Sequence, residues 1–522
     1  MEEKYILAVD HGTSGVKNSI ITVTGKLIDF AFKSTPIYYK EDGGVEQDPD
    51  EWWEAFIVTT KELLEKCKIN KNDIVAISVS STFSSTVAVD KNGKHLMPAL
   101  TWLDARGSPI VRRVMSGIPS IEGYSVNNII KWLPLTGGAP TLSGKDDIAH
   151  VLFIKENLPE IYNKTDKFLG SKDYFNLRLT GKSYASFDSI TLFWITDNRN
   201  PNKIKYSNKL IKSLGLDKEK FPPIVRSDAI IGTISKDVAK KLQLPERVKV
   251  VAGSPDLQSA AIGSGAVEDF KAHIYVGTSS WLLAHVPFKK TDVLHNIAAL
   301  PSSISGRYLC MNEQDIAGGA LDFLINNIIF HNKKLNSTEV SDKYRLIDEI
   351  VAQVPAGSNG VIFTPWLNGE RTPVDNEKIR GSFTNLSITN NINDMARSVF
   401  EGVALNSRWV MVYVEKLLKR KLDKINIIGG GAKSSVWCQI FADVLNREIH
   451  QVKDPIVANS RGAAFIASVG LGYISYQDIP NLVKIEKVFT PNQDNVPLYD
   501  NIFKEFVNIY KNNKKMFGRL NP

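Results

Sequence analysis

The first residues of this chain that could do chemistry lie in the segment that starts at Asp10. Asp10 ends an apolar run, the turn Gly12-Thr13-Ser14-Gly15 follows, and Lys17 stands just beyond it. Such a turn exposes backbone N–H groups and hydroxyls with little side-chain bulk, which suits the oxyanions of a phosphate chain. A carboxylate at the strand end commonly holds a hydrated Mg²⁺, to which Lys17 would add a cation. The alternative is a plain hairpin turn beside a solvent-facing lysine.

The same pattern occurs a second time about half a chain later. Residues 272–276 are apolar, Gly277-Thr278-Ser279-Ser280 follows, and residues 281–286 are apolar again. Because the flanking runs match as well as the turn, duplication explains the repeat better than chance. We therefore expect two domains of one architecture, residues 1–253 and 254–522, whose two turns clasp one nucleotide.

Two more glycine loops are candidates for the nucleotide site. Gly429-Gly430-Gly431-Ala432 follows the strand-like run 424–428 and precedes Lys433, and Gly318-Gly319 starts a predicted helix that would support the base from the other side. Backbone without side chains lets a planar base or a ribose approach closely. Neither loop matches the dinucleotide-binding fingerprint, and no P-loop sequence occurs, so kinases of these two types are disfavoured.

Asp256 is the candidate for acid–base chemistry. It stands in the segment Ala252-Gly253-Ser254-Pro255-Asp256-Leu257-Gln258, at the expected junction of the two domains, ahead of a run of small residues at 259–265. A carboxylate between two domains is well placed to accept the proton of a substrate hydroxyl as a general base. The alternative is an aspartate that only caps the following helix.

These residues must be positioned by strands and helices that alternate along the chain, as in an α/β fold. Tyr499, Phe503, Phe506 and Tyr510 recur at helical spacing, which predicts a helix packed on a core and not a ligand site. Strands are predicted at 5–10, 16–23, 74–79, 249–252, 272–276, 281–286 and 424–428, and helices at 49–67, 148–156, 172–179, 317–329, 392–418 and 435–445.

The composition excludes several classes of protein. A length of 522 residues with 43% apolar and 23% charged side chains suits a soluble globular chain with more than one domain. Three widely separated cysteines provide neither a disulfide framework nor a structural zinc site. The net charge is +8, but the lysines are scattered, so no nucleic-acid partner is expected. Since no long apolar run and no signal-peptide pattern occurs, we expect no membrane contact and a cytoplasmic location.

Together these segments resemble the FGGY family of carbohydrate kinases, within the actin-like ATPase superfamily, over nearly the whole chain. Within the family the sequence is most similar to the xylulokinases. The segments that carry the resemblance are 10–17, 102–107, 155–162, 172–174, 179–181, 253–265, 277–279, Gly369-Glu370-Arg371-Thr372-Pro373, 401–404 and 429–434 with Trp437.

The resemblance implies two duplicated actin-like (ribonuclease H-like) domains with a nucleotide and sugar cleft between them. It implies ATP and Mg²⁺, a small-molecule sugar substrate, a homodimer, and in-line transfer of the γ-phosphoryl group to a primary hydroxyl. Asp256 would be the general base, and Asp10 would place the metal. Sugar contacts are then expected from Thr82, Trp102, Asp104, Asp256 and Gln258, and ATP contacts from Gly12, Thr13, Ser14, Lys17, Gly277, Thr278, Gly318, Gly430, Gly431 and Lys433.

One departure from the family pattern concerns the sugar. Xylulokinases typically carry Gln-Met-His-Gly after the strand that ends near Val79, whereas this chain has Ser80-Ser81-Thr82-Phe83-Ser84-Ser85, which is closer to ribulokinase-type members. The expected substrate is a small ketose, foremost a pentulose, with ribulose or a related polyol as the alternative. A non-kinase actin-like ATPase and a relative without catalysis are the other classes that stay open.

A second departure lies in the family signature, where Asn385 replaces a glycine. Asparagine is the substitute best tolerated where the backbone has a positive φ. Asn385 is thus a tolerated substitute, and the sequence leaves open whether it changes the signature turn.

Overall fold

Each half of the chain is built on one mixed β-sheet with helices packed against it. The computed structural model describes residues 3–331 and 342–521. The central strands are buried along almost their whole length, as expected where helices cover both faces of a sheet. The N-terminal sheet contains β1 (Tyr5–Gly12), β2 (Gly15–Thr22), β3 (Leu27–Ser34), β4 (Ile74–Ser81), β5 (Ile230–Thr233) and β6 (Lys249–Pro255), in the spatial order β5-β6-β4-β1-β2-β3.

The C-terminal sheet repeats this arrangement. In both sheets the first hairpin strand pairs in parallel with an inner strand, a second parallel strand follows, and an antiparallel strand closes the edge. The predicted duplication is therefore confirmed in strand order and direction. The C-terminal sheet contains β7 (Ala272–Val276), β8 (Ser280–Val286), β9 (Tyr308–Met311), β10 (Lys424–Ile428), β11 (Glu448–Val452) and β12 (Ile485–Phe489), in the order β9-β8-β7-β10-β11-β12, with Ile297–Pro301 and Thr291–Asp292 added beyond β9.

The main helices begin where the sequence provides a local signal. The Asp48 side chain accepts the N–H of Asp50 ahead of a proline, and Asn391 and Asp394 form a reciprocal capping box. Tyr499 and Phe506 are fully buried, which confirms the predicted core-facing helix at the end of the chain. The helices used below are α1 (Pro49–Cys67), α2 (Ser171–Thr180), α3 (Asp256–Gly263), α4 (Ile392–Leu418), α5 (Ser435–Leu445), α6 (Ala458–Gly470) and α7 (Val496–Leu520).

Smaller elements complete the described part of the chain. One predicted helix is divided: residues 317–329 form a short α-helix that continues as a π-helical turn at Leu324–Ile329. No helix of residues 3–331 or 342–521 has the length and apolar character needed to cross a membrane. The further helices are Ser108–Met115, Val126–Thr136, Asp147–Asn157, Pro159–Lys164, Asn208–Ser213, Lys236–Leu242, Gly318–Phe323, Lys343–Gln353 and Ile479–Leu482, and the further strands are Tyr38–Tyr39, Val45–Gln47, Thr86–Val89, Ala99–Leu100, Ser120–Ile121, Tyr124–Ser125, Lys167–Gly170, Ala185–Ser186, Thr196–Asp197, Lys205–Tyr206, Ile224–Val225, Ile362–Thr364 and Ser382–Thr384.

Asn385 lies just beyond the last of these strands, with a φ of 66°. Its side-chain Nδ2 donates to the Gly360 carbonyl oxygen at 3.0 Å. Asparagine is one of the residues that adopt this left-handed conformation most readily. Asn385 therefore occupies this turn in a conformation that glycine adopts without strain.

The two halves meet where helices α3 and α6 cross. A Cβ added to Gly462 would lie 1.8 Å from the Ser259 carbonyl oxygen, and one added to Gly263 would lie 1.8 Å from the Ala458 carbonyl oxygen. The stretch Ser259-Ala260-Ala261 in α3 corresponds to Gly462-Ala463-Ala464 in α6. Corresponding residues of the two halves thus touch at the crossing, and small side chains let the backbones approach closely.

The predicted domain boundary, between residues 253 and 254, falls near the end of β6. This strand pairs with β4 of the N-terminal sheet and leads directly into α3. Helix α3 therefore continues from the N-terminal sheet, and the position of the boundary stays a prediction.

Candidate active site

The first glycine turn joins β1 to β2 as a tight hairpin. Gly12 pairs with Gly15, which leaves Thr13 and Ser14 as the two turn residues. Ser14 is exposed, and Thr13 is half-buried. A Cβ at Gly15 would lie 2.3 Å from the Lys33 carbonyl oxygen, so a side chain at this position would collide with β3. The turn is therefore short, closely packed on its neighbouring strand and without bulky side chains.

Asp10 and Lys17 face each other at the base of this turn. They are paired across the hairpin, and Lys17 Nζ lies 3.4 Å from Asp10 Oδ2. Lys17 also donates to the carbonyl oxygen of Ile456, in the other half of the chain, at 3.1 Å. Asp10 is only 8% exposed, and among the described residues its carboxylate contacts only the Lys17 Nζ and, at 3.5 Å, the Asn459 Nδ2. Its lone pairs therefore fit a hydrated Mg²⁺, a cation that prefers carboxylate oxygens.

The second glycine turn and the Gly318 loop lie against each other. The N–H of Gly318 donates to the Gly277 carbonyl oxygen at 2.7 Å, and the N–H groups of Ala317 and Gly319 donate to that of Thr278. A Cβ at Gly318 would lie 2.6 Å from the Gly277 oxygen. The structure thus places Gly318 beside the second glycine turn, where its backbone supports Gly277, while the Thr278 side chain stays exposed.

The triple-glycine loop follows β10 and borders the same turn. Gly429 has a φ of 91°, and a Cβ at Gly431 would lie 2.5 Å from the Val276 side chain. Gly430 is exposed, and a Cβ there would meet no atom within 4 Å. Lys433 lines a cavity of about 340 Å³ that also contacts β3 of the other half. This open, side-chain-free surface beside Val276 fits a planar base or ribose.

Asp256 is the first residue of α3 and lies half-buried between the two halves. Its Oδ1 accepts the N–H of Leu257 at 2.8 Å, whereas the cap position of the helix is Pro255. The pKa of Asp256 is raised well above its ordinary value, because burial disfavours the charged form and because the carboxylates of Glu313 and Asp10 lie nearby. A carboxylate with a raised pKa has the proton affinity that a general base needs.

A buried polar network fixes the strand end that precedes Asp256. The Ser254 hydroxyl donates to Asp188, which also accepts the Ser227 hydroxyl at 2.7 Å. From α2, Lys172 Nζ and Asn176 Nδ2 both donate to the Ala252 carbonyl oxygen, at 2.9 and 2.8 Å. Sequence reasoning missed these supporting residues. Their only signal is the presence of polar side chains within otherwise buried elements.

Trp102 connects the first glycine turn to the other half of the chain. Its indole Nε1 donates to Thr13 Oγ1 at 2.8 Å, and the Arg371 guanidinium lies 5.4 Å from the centre of its ring. Arg371 in turn binds Glu313 at 2.7 Å and Asp315 at 2.6 Å. The predicted sugar residue Trp102 therefore lies close to the first glycine turn. Its partner is Arg371, which the sequence indicated only as part of a family motif.

Two other predicted sugar contacts are already engaged within the protein. Asp104 is fully buried, and its carboxylate binds the Arg106 guanidinium and the N–H of Val45. The Gln258 side chain donates to the Pro301 carbonyl oxygen and accepts the N–H of Ser303. In this conformation the polar groups of both side chains are bonded within the protein. A direct sugar contact by Asp104 or Gln258 therefore stays a prediction.

Thr82 follows β4 and is half-buried. Its backbone N–H donates to the His11 carbonyl oxygen at 2.9 Å, and its hydroxyl lies 3.2 Å from that of Ser85. His11 itself is fully buried between Trp52 and Phe175, and burial lowers its pKa to about 3. Thr82 is thus tied to the strand that carries Asp10, whereas His11 is a neutral core residue.

The duplication relates the candidate residues in pairs. Because Gly12 corresponds to Gly277, Asp10 corresponds to Tyr275; because Ser259 corresponds to Gly462, Asp256 corresponds to Asn459. Asn459 contacts Asp10, and the charge of Asp256 acts on Tyr275. Each half thus places a strand residue opposite a helix residue of the other half. Tyr275 and Asn459 were not singled out from the sequence, although a polar residue on an apolar strand, at the position of Asp10, was a usable signal.

Two similar domains, with glycine turns and carboxylates that face one cleft, define a nucleotide-dependent phosphotransferase. The models of the N-terminal and C-terminal domains of the FGGY family of carbohydrate kinases match residues 5–263 and 272–471. The chain belongs to this family and is an ATP-dependent sugar kinase.

Comparisons with individual proteins agree with this family. The chain is 30% identical to the xylulose kinase of Staphylococcus epidermidis, over 100% of this chain and 99% of that protein. It is 24% identical to the gluconokinase of Bacillus subtilis, over 97% and 95% of the two chains. The crystal structure of gluconate kinase from Lactobacillus acidophilus matches with a TM-score of 0.85 at 24% identity, covering 99% and 100%. The predicted actin-like two-domain fold is thus confirmed.

Proposed function

We propose that this kinase transfers the γ-phosphoryl group of ATP to a primary hydroxyl of a small ketose, foremost a pentulose such as xylulose. The observation that carries this proposal is the position of Asp256: it lies half-buried at the start of α3, with Asp10 and Glu313 close enough to raise its pKa. A carboxylate between two glycine turns is where a sugar hydroxyl and a phosphate chain would meet.

Each residue of the cleft has a role in this reaction. Asp256 accepts the proton of the attacking hydroxyl. Asp10 would hold Mg²⁺, and the bound ion would neutralise part of the negative charge of the phosphates. Lys17 and the two glycine turns orient the phosphate chain, while Gly430 and Lys433 border the adenosine. The proposed catalysis is mainly positioning and electrostatic stabilisation, as is usual in phosphoryl transfer.

The sugar class rests on residues 80–85, at the end of β4 and just beyond it. Here small hydroxyl side chains replace the amide and histidine of the xylulokinase pattern; Ser80 and Ser81 are buried, and Ser84 has a φ of 53°. The Ser80 hydroxyl has no hydrogen-bond partner within the part of the chain that the structure describes. A wall of this kind favours a polyhydroxylated open-chain substrate. Relatives named xylulose kinase and gluconokinase both fit it, and ribulose or a related polyol is the second candidate.

The test is a panel of sugars with sugar-dependent ADP release as the readout. D-xylulose, D-ribulose, gluconate and glycerol are compared with the purified chain, with Mg²⁺ and ATP. We expect a pentulose to give the highest kcat/KM, because a site that hydrogen-bonds each hydroxyl strongly rejects analogues that lack one. A clear preference for glycerol or gluconate would contradict the pentulose assignment. Equal ADP release with and without sugar would indicate a non-kinase ATPase.

The cytoplasmic location and the homodimer are part of this proposal and stay predictions. Fractionation of the native cells and light scattering of the purified chain test them separately.

A further inference from the structure

Tyr275 lies in β7, two residues before the second glycine turn. A Cβ added to Gly277 would lie 2.4 Å from the Tyr275 hydroxyl oxygen and 2.3 Å from its ring. The phenol therefore covers the backbone of the turn, and it lies near enough to Asp10 and Asp256 for their charges to act on it. This contact also explains why position 277 requires glycine, since any side chain there would occupy the space of the phenol.

The ring of Tyr275 is held in place by a second aromatic residue. It stacks on Trp281, with ring centres 4.0 Å apart and planes inclined by 7°. The indole N–H of Trp281 donates to His273 Nε2 at 3.2 Å, and burial keeps the pKa of His273 at about 3, so this acceptor stays neutral. The tyrosine hydroxyl is thus carried on a rigid, buried support.

The hydroxyl itself has no hydrogen-bond partner among the residues that the structure describes. Burial raises the pKa of Tyr275, and the carboxylates of Asp10 and Asp256 raise it further. The phenol therefore keeps its proton across the physiological range and remains a donor. A polar group that is aimed into a cleft without a partner inside the protein is suited to a ligand.

We propose that Tyr275 is a further catalytic residue, whose neutral hydroxyl donates a hydrogen bond to an oxygen of the phosphoryl group during its transfer. The inference rests on the proposed kinase reaction. In that reaction the sugar oxygen forms a bond to the γ-phosphorus, the bond from this phosphorus to the β–γ bridging oxygen breaks, ADP leaves, and the hydroxyl proton passes to Asp256. Tyr275 keeps its own proton throughout.

The position of Tyr275 gives a physical reason for this role. The phosphoryl group carries negative charge into a cleft that already contains the carboxylates of Asp10 and Asp256. A preorganised neutral donor near both carboxylates stabilises the charge on the transferring oxygens and adds no charge to the site. Tyr275 stands where the first half of the chain carries Asp10, so the same strand position serves the phosphates in both halves.

The experiment compares Tyr275→Phe with Tyr510→Phe. Phenylalanine keeps the stacking on Trp281 and removes only the hydroxyl. Tyr510 lies in α7, where its ring packs on Trp366 and Trp409 away from the cleft, so its variant is a matched control. Three quantities are measured: kcat with the best sugar of the panel, the affinity for ADP, and the affinity for ADP with aluminium fluoride, Mg²⁺ and sugar, which mimics the transferring phosphoryl group.

We expect Tyr275→Phe to lower kcat and the affinity for the aluminium fluoride complex by about 100-fold each, the usual effect of removing one such donor. The affinity for ADP should change by less than about twofold, since only the transferring group loses a contact. Tyr510→Phe should resemble the wild type in all three quantities.

Two results would overturn the assignment of Tyr275 alone. One is a kcat of Tyr275→Phe within about threefold of the wild type; the other is an equal loss of affinity for ADP and for the aluminium fluoride complex, which would indicate a general role in nucleotide binding. Failure of the proposed function is recognised separately, because the wild-type chain would then release no sugar-dependent ADP. That result would overturn both proposals.

Discussion

The guanidinium of Arg371 lies 5.4 Å from the centre of the Trp102 ring, so that a residue of the C-terminal half stacks on one of the N-terminal half. On one side the indole donates to Thr13 in the first glycine turn, and on the other side Arg371 binds Glu313. Glu313 is also one of the groups that raise the pKa of Asp256. The Trp102 ring thereby connects the first glycine turn to Glu313, a neighbour of the proposed base Asp256.

Arg371→Met should weaken sugar binding. Methionine keeps the apolar stem but leaves Trp102 without its cation and Glu313 without its partner. Stacking of this kind contributes about 1 kcal/mol, which corresponds to a rise of roughly fivefold in the KM for sugar. Arg408→Met is the control, because Arg408 stacks on Phe503, and it should leave the KM unchanged. Steady-state kinetics measure the KM for sugar in both variants. An unchanged KM in Arg371→Met would contradict a role of Arg371 in sugar binding.

Asp256→Asn should abolish sugar phosphorylation while ATP binding persists, because the amide keeps the shape and cannot accept the proton. A positioned general base contributes roughly 10² to 10⁴ in rate. The raised pKa of the wild-type residue further predicts that kcat/KM falls as the pH is lowered and Asp256 becomes protonated. Retention of more than about a tenth of the wild-type rate is too much for a lost general base, and circular dichroism checks that the fold is intact.

Asp10→Asn should fail in a different way. An amide at this position weakens the interaction with Mg²⁺, so the concentration of Mg²⁺ needed for half-maximal rate should rise. Titration of activity with Mg²⁺ in both aspartate variants separates the two roles. Identical Mg²⁺ curves for Asp10→Asn and the wild type would show that Asp10 does not serve the metal.

Gly462→Ala should destabilise the contact between the halves. The new methyl carbon would lie 1.8 Å from the Ser259 carbonyl oxygen, and overpacking of this kind costs about 1–3 kcal/mol. Gly518→Ala is the matched control: Gly518 lies within α7 with open space around it, and alanine there should stabilise by about 0.5–1 kcal/mol. Thermal unfolding of both variants should therefore shift in opposite directions, and equal shifts would contradict a tight crossing.

Glu370→Gln should alter how stability depends on pH. Burial, followed by the nearby Asp315, raises the pKa of Glu370 from 4.5 to about 8. The folded state then binds a proton that the unfolded state releases, so stability is lost as the pH rises from about 4.5 through about 8. Without this titratable group the decrease should be smaller. Denaturant unfolding at pH 5, 7 and 9 measures it, and parallel curves for both proteins would refute the assignment.

Sequence reasoning succeeded where the determinants are local. Helices α1, α4 and α5 and strand β10 have the predicted bounds, because a capping aspartate, a capping box and apolar periodicity mark them in the chain. The helix at 317–329 was predicted as one continuous helix, and its change to a π-helical turn at Leu324 was not.

Long-range relationships in the candidate site could not be predicted in the same way. The sequence indicated Asp10, Asp256 and the glycine loops, because their residue types stand out at strand ends. It did not indicate that Asp188 accepts a hydrogen bond from the Ser254 hydroxyl. Nor did it indicate that Trp102 packs against Arg371 of the C-terminal half. Such contacts depend on how distant elements pack, and no local pattern encodes them.

The residues that face each other between the two halves affect how readily the cleft closes when no substrate is bound. Asp10 and Asp256, both carried by the N-terminal sheet and its continuation, are opposed by Asn459 and Tyr275 of the other half. Asp256 also lies near Glu313, a carboxylate of the other half that helps to raise its pKa. When no substrate is bound, closing of the cleft brings these two carboxylates together, so added salt, which screens their repulsion, should favour the closed form. The binding of ATP changes this, because the substrate then contributes the dominant charge.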